Sequence, residues 1–133
     1  MSEQSAETGT SLSGALSSPD AVVGSGIEAL RANDEPYESH GIETLYGLVT
    51  PAVRRAIGLL PRFAGIVRRG YAPLLAIDRV GTTPVETVGD HATQEVTVVT
   101  ADGEETVYES SPTRQSAGAH DGRWLVDGIP RVA

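Results

Sequence analysis

At 133 residues the chain has room for one domain, and its ten basic residues, all arginine, face eighteen carboxylates for a formal net charge of −8. The absence of lysine excludes a phosphate-cradling P-loop and a Schiff base on a lysine of the chain. The absence of cysteine excludes disulfides, thiol nucleophiles and thiolate metal sites.

Residues 1–18 are Ser, Gly, Ala, Thr and Glu with almost nothing to bury, and predict a disordered tail ahead of one domain over 19–133. Ser18-Pro19-Asp20 is a helix start: an N-cap, a proline in the first turn and a carboxylate at the positive end. The stripe Val23, Ile27, Leu30 continues it, and Asn33-Asp34-Glu35-Pro36 stops it. Ser39 is placed to cap a second helix with the stripe Ile42, Leu45, Tyr46, Val49. Thr50-Pro51 opens a third, carrying Val53 and Ile57. Pro61 opens a fourth, carrying Phe63, Ile66 and Val67 and closed by Gly70.

The period then changes. Leu74 to Val80 and Val85 to Val88 read as extended, separated by Gly81 and Pro84. Residues 92–100, rich in Val and Thr, form the clearest strand. Asp102-Gly103 predicts a two-residue hairpin turn that pairs Val98 with Val107 and Val96 with Glu109. That register sends Thr97, Val99, Thr106 and Tyr108 to the opposite face. Residues 110–119 are polar around Pro112 and read as a loop before a last strand, Arg123 to Ile129. Helices first and antiparallel strands after predict an α+β domain with the helices on one sheet face.

This order resembles the nuclear transport factor 2-like superfamily, and more closely an uncharacterised family within it, a domain of unknown function. Phe63, the Arg68–Leu74 run Arg-Arg-Gly-Tyr-Ala-Pro-Leu, the Asp102-Gly103 hairpin, and Gly122-Arg123-Trp124 with Asp127-Gly128 carry the resemblance, over roughly residues 20–130. It implies a cone in which N-terminal helices cross a curved antiparallel sheet, and a homodimer. It implies no activity. One departure is Ser110-Ser111-Pro112, where the pattern asks for a continuing apolar strand.

Gly24-Ser25-Gly26-Ile27-Glu28-Ala29 fits G-x-G-x-x-A, with Glu43 at the spacing of a ribose-binding carboxylate. The cap at Ser18 argues against it, because it opens a helix that already contains Val23. His40, His91 and His120 lack the spacing of a helical metal pair, so no metal and no cofactor are expected. No G-x-S-x-G elbow is present.

Arg54, Arg55, Arg62, Arg68 and Arg69 lie in a stretch, between Glu43 and Asp78, that holds no carboxylate. They form either a face for an anion or partner, or, as the favoured expectation, ties to carboxylates on the sheet and first two helices. The overall charge repels nucleic acid, and no aromatic ladder accompanies the arginines. The candidates for the interior of a cone are Tyr46, Tyr71, Tyr108, Arg123, Trp124 and Asp127, with Trp124 expected to plug the core. Asp78 and Asp127 are the strand-region carboxylates with a prospect of pointing inward.

The expected function is a non-enzymatic module that binds a small apolar ligand or a partner protein, as a homodimer through an outer sheet face bearing Val99 and Tyr108. The alternative is a cofactor-free isomerase or dehydratase inside the cone. That chemistry needs a buried carboxylate or His within reach of a Tyr. No apolar run is long enough to span a membrane, and the N-terminus has no basic flank or apolar core of a secretory signal, which together point to the cytoplasm. Excess carboxylate with no lysine also suits a salt-rich cytoplasm, where a Debye length of about 3 Å at molar salt screens self-repulsion. A GC-rich genome would favour the same residues; the halophilic reading is preferred.

Overall fold

The structure is a computed structural model that describes residues 16–133. The tail expected over 1–18 therefore lies outside the described residues except at its end. There, Leu16 is buried in the core and its carbonyl accepts from the Trp124 amide at 2.9 Å.

Four α-helices precede six strands among the described residues. Helix α1 spans Pro19–Arg31, α2 His40–Tyr46, α3 Pro51–Ile57 and α4 Leu60–Gly70. Ser18 caps α1 as expected, its Oγ accepting from the Ala21 amide at 3.1 Å. Val23, Ile27 and Leu30 are buried together with Val22 and Gly26. Ala21–Val23 is therefore helical, and Gly24 and Gly26 lie inside a helix rather than in a dinucleotide loop.

The start of α2 is built differently from the expectation. Ser39 occupies the cap position in the left-handed region (φ 63°), and its side chain makes no capping bond. Asn33 supplies the cap instead. Its carbonyl accepts from the Gly41 amide at 2.8 Å, and its Oδ1 accepts from the Ile42 amide at 2.9 Å. Asp34 Oδ1 accepts from the Ser39 amide at 2.9 Å. The segment that ends α1 thus also begins α2, and this welds the two helices into a pair.

The strands are β1 Ile77–Thr82, β2 Glu86–Val88, β3 His91–Thr100, β4 Glu105–Ser110, β5 Pro112–Arg114 and β6 Trp124–Val126. Every pairing between them is antiparallel. Strand β3 is the spine. Its outer half pairs with β1 and its first residues with β2 on one side; β4 and β5 pair along the other, and β6 pairs with β5. Residues 127–133 continue beside β4: the Ser111, Glu109 and Val107 amides donate to the carbonyls of Gly128, Pro130 and Ala133. Helix α1 lies over β5 and β6. The open edge of β6 is covered by residues 48–50, through Val126 N to Leu48 O at 2.8 Å and Thr50 N to Val126 O at 3.0 Å. No helix of the described residues is long and apolar enough to cross a membrane.

Three expectations need correction. Ala72–Leu75 is a short 3-10 turn, and the first strand begins only at Ile77. Part of the loop over 110–119 is strand β5: Ser111 bends the ribbon while its amide and carbonyl still bond Gly128 and Asp127, so the ladder is not broken.

The hairpin register is the third. Val96 pairs with Tyr108 and Val98 with Thr106, one residue away from the expected pairing. The turn is a three-residue loop, not a two-residue one. Gly103 N donates to Thr100 O at 2.9 Å, Gly103 adopts φ 88°, and Thr100 N donates to Glu104 O at 3.0 Å. This is a type I turn closed by a left-handed glycine, a geometry in which Asp-Gly is equally at home. Asp102 accepts from the Thr100 hydroxyl and from the Glu104 amide at 3.2 Å, and these bonds hold its pKa below the usual carboxylate value. A one-residue slip exchanges the faces. Tyr108, expected outside, is 1% exposed and faces the core with Val96, Val98 and Thr106.

Candidate ligand cavity

A cavity of about 300 Å³ lies beneath the helices, bounded by all four of them and by β6 with the residues that follow it. Its wall is hydrocarbon: Leu45, Val53, Ile57, Phe63, Val67 and Ile129 are representative. Helix α3 has no buried residue of its own, yet Val53, Ala56 and Ile57 all face the void. It covers the hollow, with Val53 and Ile57 half-buried against the edge of the core.

The cover is pinned at both ends. At its start, Thr50 Oγ1 accepts from the Val53 amide at 3.3 Å and donates to Asp127 Oδ1 at 2.7 Å. Thr50 is 4% exposed. At its end, the Tyr46 hydroxyl donates to the Gly58 carbonyl at 2.7 Å, where Gly58 takes φ 101°. Arg54 Nε donates to Tyr46 O at 3.1 Å, with its guanidinium 5.3 Å from the Tyr46 ring centre.

Of the candidates read from the sequence, Tyr71 and Asp127 line the cavity. Asp127 is also solvent-exposed, so it stands at the rim. Tyr46 packs at a tilt against Phe63 behind the wall, with ring centres 5.2 Å apart. Tyr108 lies behind Tyr71, with rings stacked at 5.8 Å, and Arg123 is exposed. Burial pushes the Tyr108 hydroxyl pKa up; nearby Arg131 opposes the shift and Tyr71 adds to it. Trp124 is buried at 6% exposure, carries Arg114 over its ring at 5.7 Å, and plugs the core away from the cavity. Asp78 does not point inward; it is exposed and 3.9 Å from Arg79.

Thr50 is the residue that sequence reasoning missed. It was legible as a cap, but its second bond, to a residue 77 positions away, has no sequence signal. A smaller void of about 30 Å³ adjoins the cavity through Leu30, Leu45, Val126 and Ile129 and reaches Ser110, whose buried hydroxyl has no hydrogen-bond partner among the described residues.

The chain matches, over residues 17–132, a family described as a domain of unknown function (DUF4864). The chain belongs to this family. Comparison with curated proteins and with solved structures gave no match. In this DUF4864 domain the arginine block does not meet carboxylates among the described residues. The ion pairs among the described residues are Arg79–Asp78 and Arg114–Asp90, and neither involves it. Arg54 and Arg68 do bridge helices, but through the Tyr46 carbonyl and the Ser39 hydroxyl, which are neutral acceptors. Arg69 folds back over Gly65, and Arg55 and Arg62 are exposed. The histidines stay apart: His40 packs edge-on against Tyr37, and no cluster of His, Asp and Glu suited to a metal occurs among the described residues.

Proposed function

We propose that this domain is a non-enzymatic binding module whose helix-covered cavity takes a small apolar ligand, within a nuclear transport factor 2-like cone. The observation that carries this reading is the cavity itself. A void of about 300 Å³ walled almost wholly by aliphatic and aromatic carbon sits at the low end of small-molecule sites. Left empty, it forfeits the dispersion contacts its wall would otherwise make. The cone assignment is supported by the element order, with helices leading into a bent antiparallel ribbon, and by the hollow between the two layers.

An isomerase or dehydratase would require a buried acid or base hydrogen-bonded to a Tyr in the hollow. The carboxylate at this cavity bonds Thr50 and reaches solvent; the described Tyr–carboxylate bond, Tyr37 to Glu43, is at the surface. This favours binding over chemistry. A homodimer would form on the outer sheet face. Val99 and Val107 are half-buried there, and Tyr108 plays no part because it points inward. Cytoplasmic residence in a salt-rich cell is part of the same reading, supported by the composition.

The test is calorimetric titration with octanol in molar KCl, on the wild type and on Val53→Trp, which fills the hollow. Saturable binding by the wild type, lost in a variant with unchanged circular dichroism, is expected. Failure of the wild type to bind octanol, or equal binding by both proteins, refutes the reading.

A further inference from the structure

We propose that the ligand of this cavity is an amphiphile with a protonated amine head, received by Asp127 at the rim while its apolar body enters the hollow; this rests on the binding reading above. Three observations point there. First, Asp127 is the one ionisable carboxylate among the lining residues, and the wall is otherwise hydrocarbon apart from the Tyr71 hydroxyl. Second, it is held in place. Thr50, buried and itself engaged by the Val53 amide, donates its hydroxyl proton to Asp127 Oδ1, which fixes the carboxylate, and among the described residues no donor reaches Oδ2. Third, no cation among the described residues pairs with it: the ion pairs there are Arg79–Asp78 and Arg114–Asp90.

The geometry selects by headgroup. A carboxylate accepts hydrogen bonds and donates none, so an ammonium or hydroxyl is received and an anion is repelled. Because Asp127 is exposed, the head stays partly hydrated while the tail is desolvated, which is the arrangement an amphiphile requires. Arg54 on the cover helix does not compensate at the rim, since it is turned onto Tyr46.

The experiment titrates octylamine, octanol and octanoate into the wild type, Asp127→Asn and Asp78→Asn, all in the same KCl. The two variants lose the same charge, but Asp78 is remote from the cavity. The wild type and Asp78→Asn are expected to bind octylamine at least about tenfold more tightly than octanoate, with octanol between. In Asp127→Asn the ratio should collapse toward unity, and in the wild type it should shrink as KCl rises. If octanol binds but the three heads bind equally, the inference is overturned while the apolar cavity stands. If the amine preference persists in Asp127→Asn, it belongs to the overall charge of −8 and the inference is again overturned. If none of the three binds, both readings fall.

Discussion

Gly41→Ala should be among the most damaging single-methyl additions to this protein. A Cβ at Gly41 would stand 2.0 Å from the Ala29 carbonyl oxygen, 2.7 Å from Asn33 Cα and 2.8 Å from the Ala29 carbonyl carbon. All three atoms are backbone, so no side chain can swing aside; α1 and α2 must separate by more than an ångström. Overpacking of this kind costs about 1–3 kcal/mol. The separation also strains two bonds that depend on the close approach, Gly41 N to Asn33 O and Ile42 N to Asn33 Oδ1, each contributing about 0.5–1.5 kcal/mol. Replacing a helical glycine returns about 0.4–1 kcal/mol through the unfolded chain. The net expectation is a loss of about 2–4 kcal/mol, a large part of a small domain's stability.

Gly24→Ala is the control. It lies in α1 with nothing within 4 Å of a Cβ, so it should keep the entropic gain alone and stabilise by about 0.4–1 kcal/mol. Urea melts at constant high KCl separate the effects of sequence from those of salt; guanidinium would change the ionic strength during the titration. The Gly41→Ala midpoint should fall by on the order of 1–2 M while Gly24→Ala rises slightly. Similar midpoints for the two variants would show that α1 and α2 do not meet at Gly41.

Tyr108, held up by burial, and Tyr37, held up by its hydrogen bond to Glu43, should both ionise late in an ultraviolet alkaline titration, and Tyr108→Phe should reduce that lagging fraction without abolishing it. The folded pKa of Tyr108 is raised by burial, so the stability linked to it is full below the unfolded value near 10 and is lost as pH climbs through the folded one. Arg55→Glu and Arg62→Glu should each change stability by no more than about 0.5 kcal/mol, read from urea melts, because both residues are exposed and neither forms an ion pair; a loss several times larger would reinstate the arginines as ties between layers. Melting temperature should fall on dialysis from molar to millimolar KCl. Glu95 and Glu109 pair directly across β3 and β4, and like charges there repel unless screened. An unchanged melting temperature would count against the salt-adapted reading.

What was legible in the sequence was local. The cap at Ser18, the helical stripe behind it and the prolines opening α3 and α4 are decided within a few residues, and each stands where its chemistry puts it. The hairpin marks the limit. Asp102-Gly103 announces a turn without announcing its length, because a left-handed glycine serves the two-residue and the three-residue loop alike. Burial decides between them: the observed register puts Tyr108 inside and exposed Glu109 outside, whereas the alternative would bury Glu109 beside Val96. The face of Tyr108 was thus fixed by its neighbours across the sheet. The cap of α2 fails to read for a related reason. Ser39 has the right side chain, but the segment that turns out of α1 brings Asn33 and Asp34 to the same amides first.

The cavity has a simpler origin, one that composition foreshadows. Aromatic residues make up 5% of the chain, and Trp124 and Tyr108 are committed to the core between helices and sheet. Phe63 and Tyr71 are left as the rings that border the hollow, and apart from Asp127 and Gly128 at the rim the rest of its wall is Val, Leu, Ile and Ala. Side chains of that size, projected from four short helices, cannot reach across the space the helices enclose. Close-packed interiors tolerate few voids larger than a water molecule, so a hollow many times that size is sustained by its frame. Here the frame is polar: Thr50 to Asp127 at one end of α3 and Tyr46 to Gly58 at the other hold the cover against collapse. The same bond that anchors α3 at Thr50 leaves, among the described residues, one carboxylate oxygen of Asp127 without a donor at the mouth of the hollow. The architecture of the void and the chemistry of its rim are therefore a single feature, and a substitution at Thr50 should disturb both together.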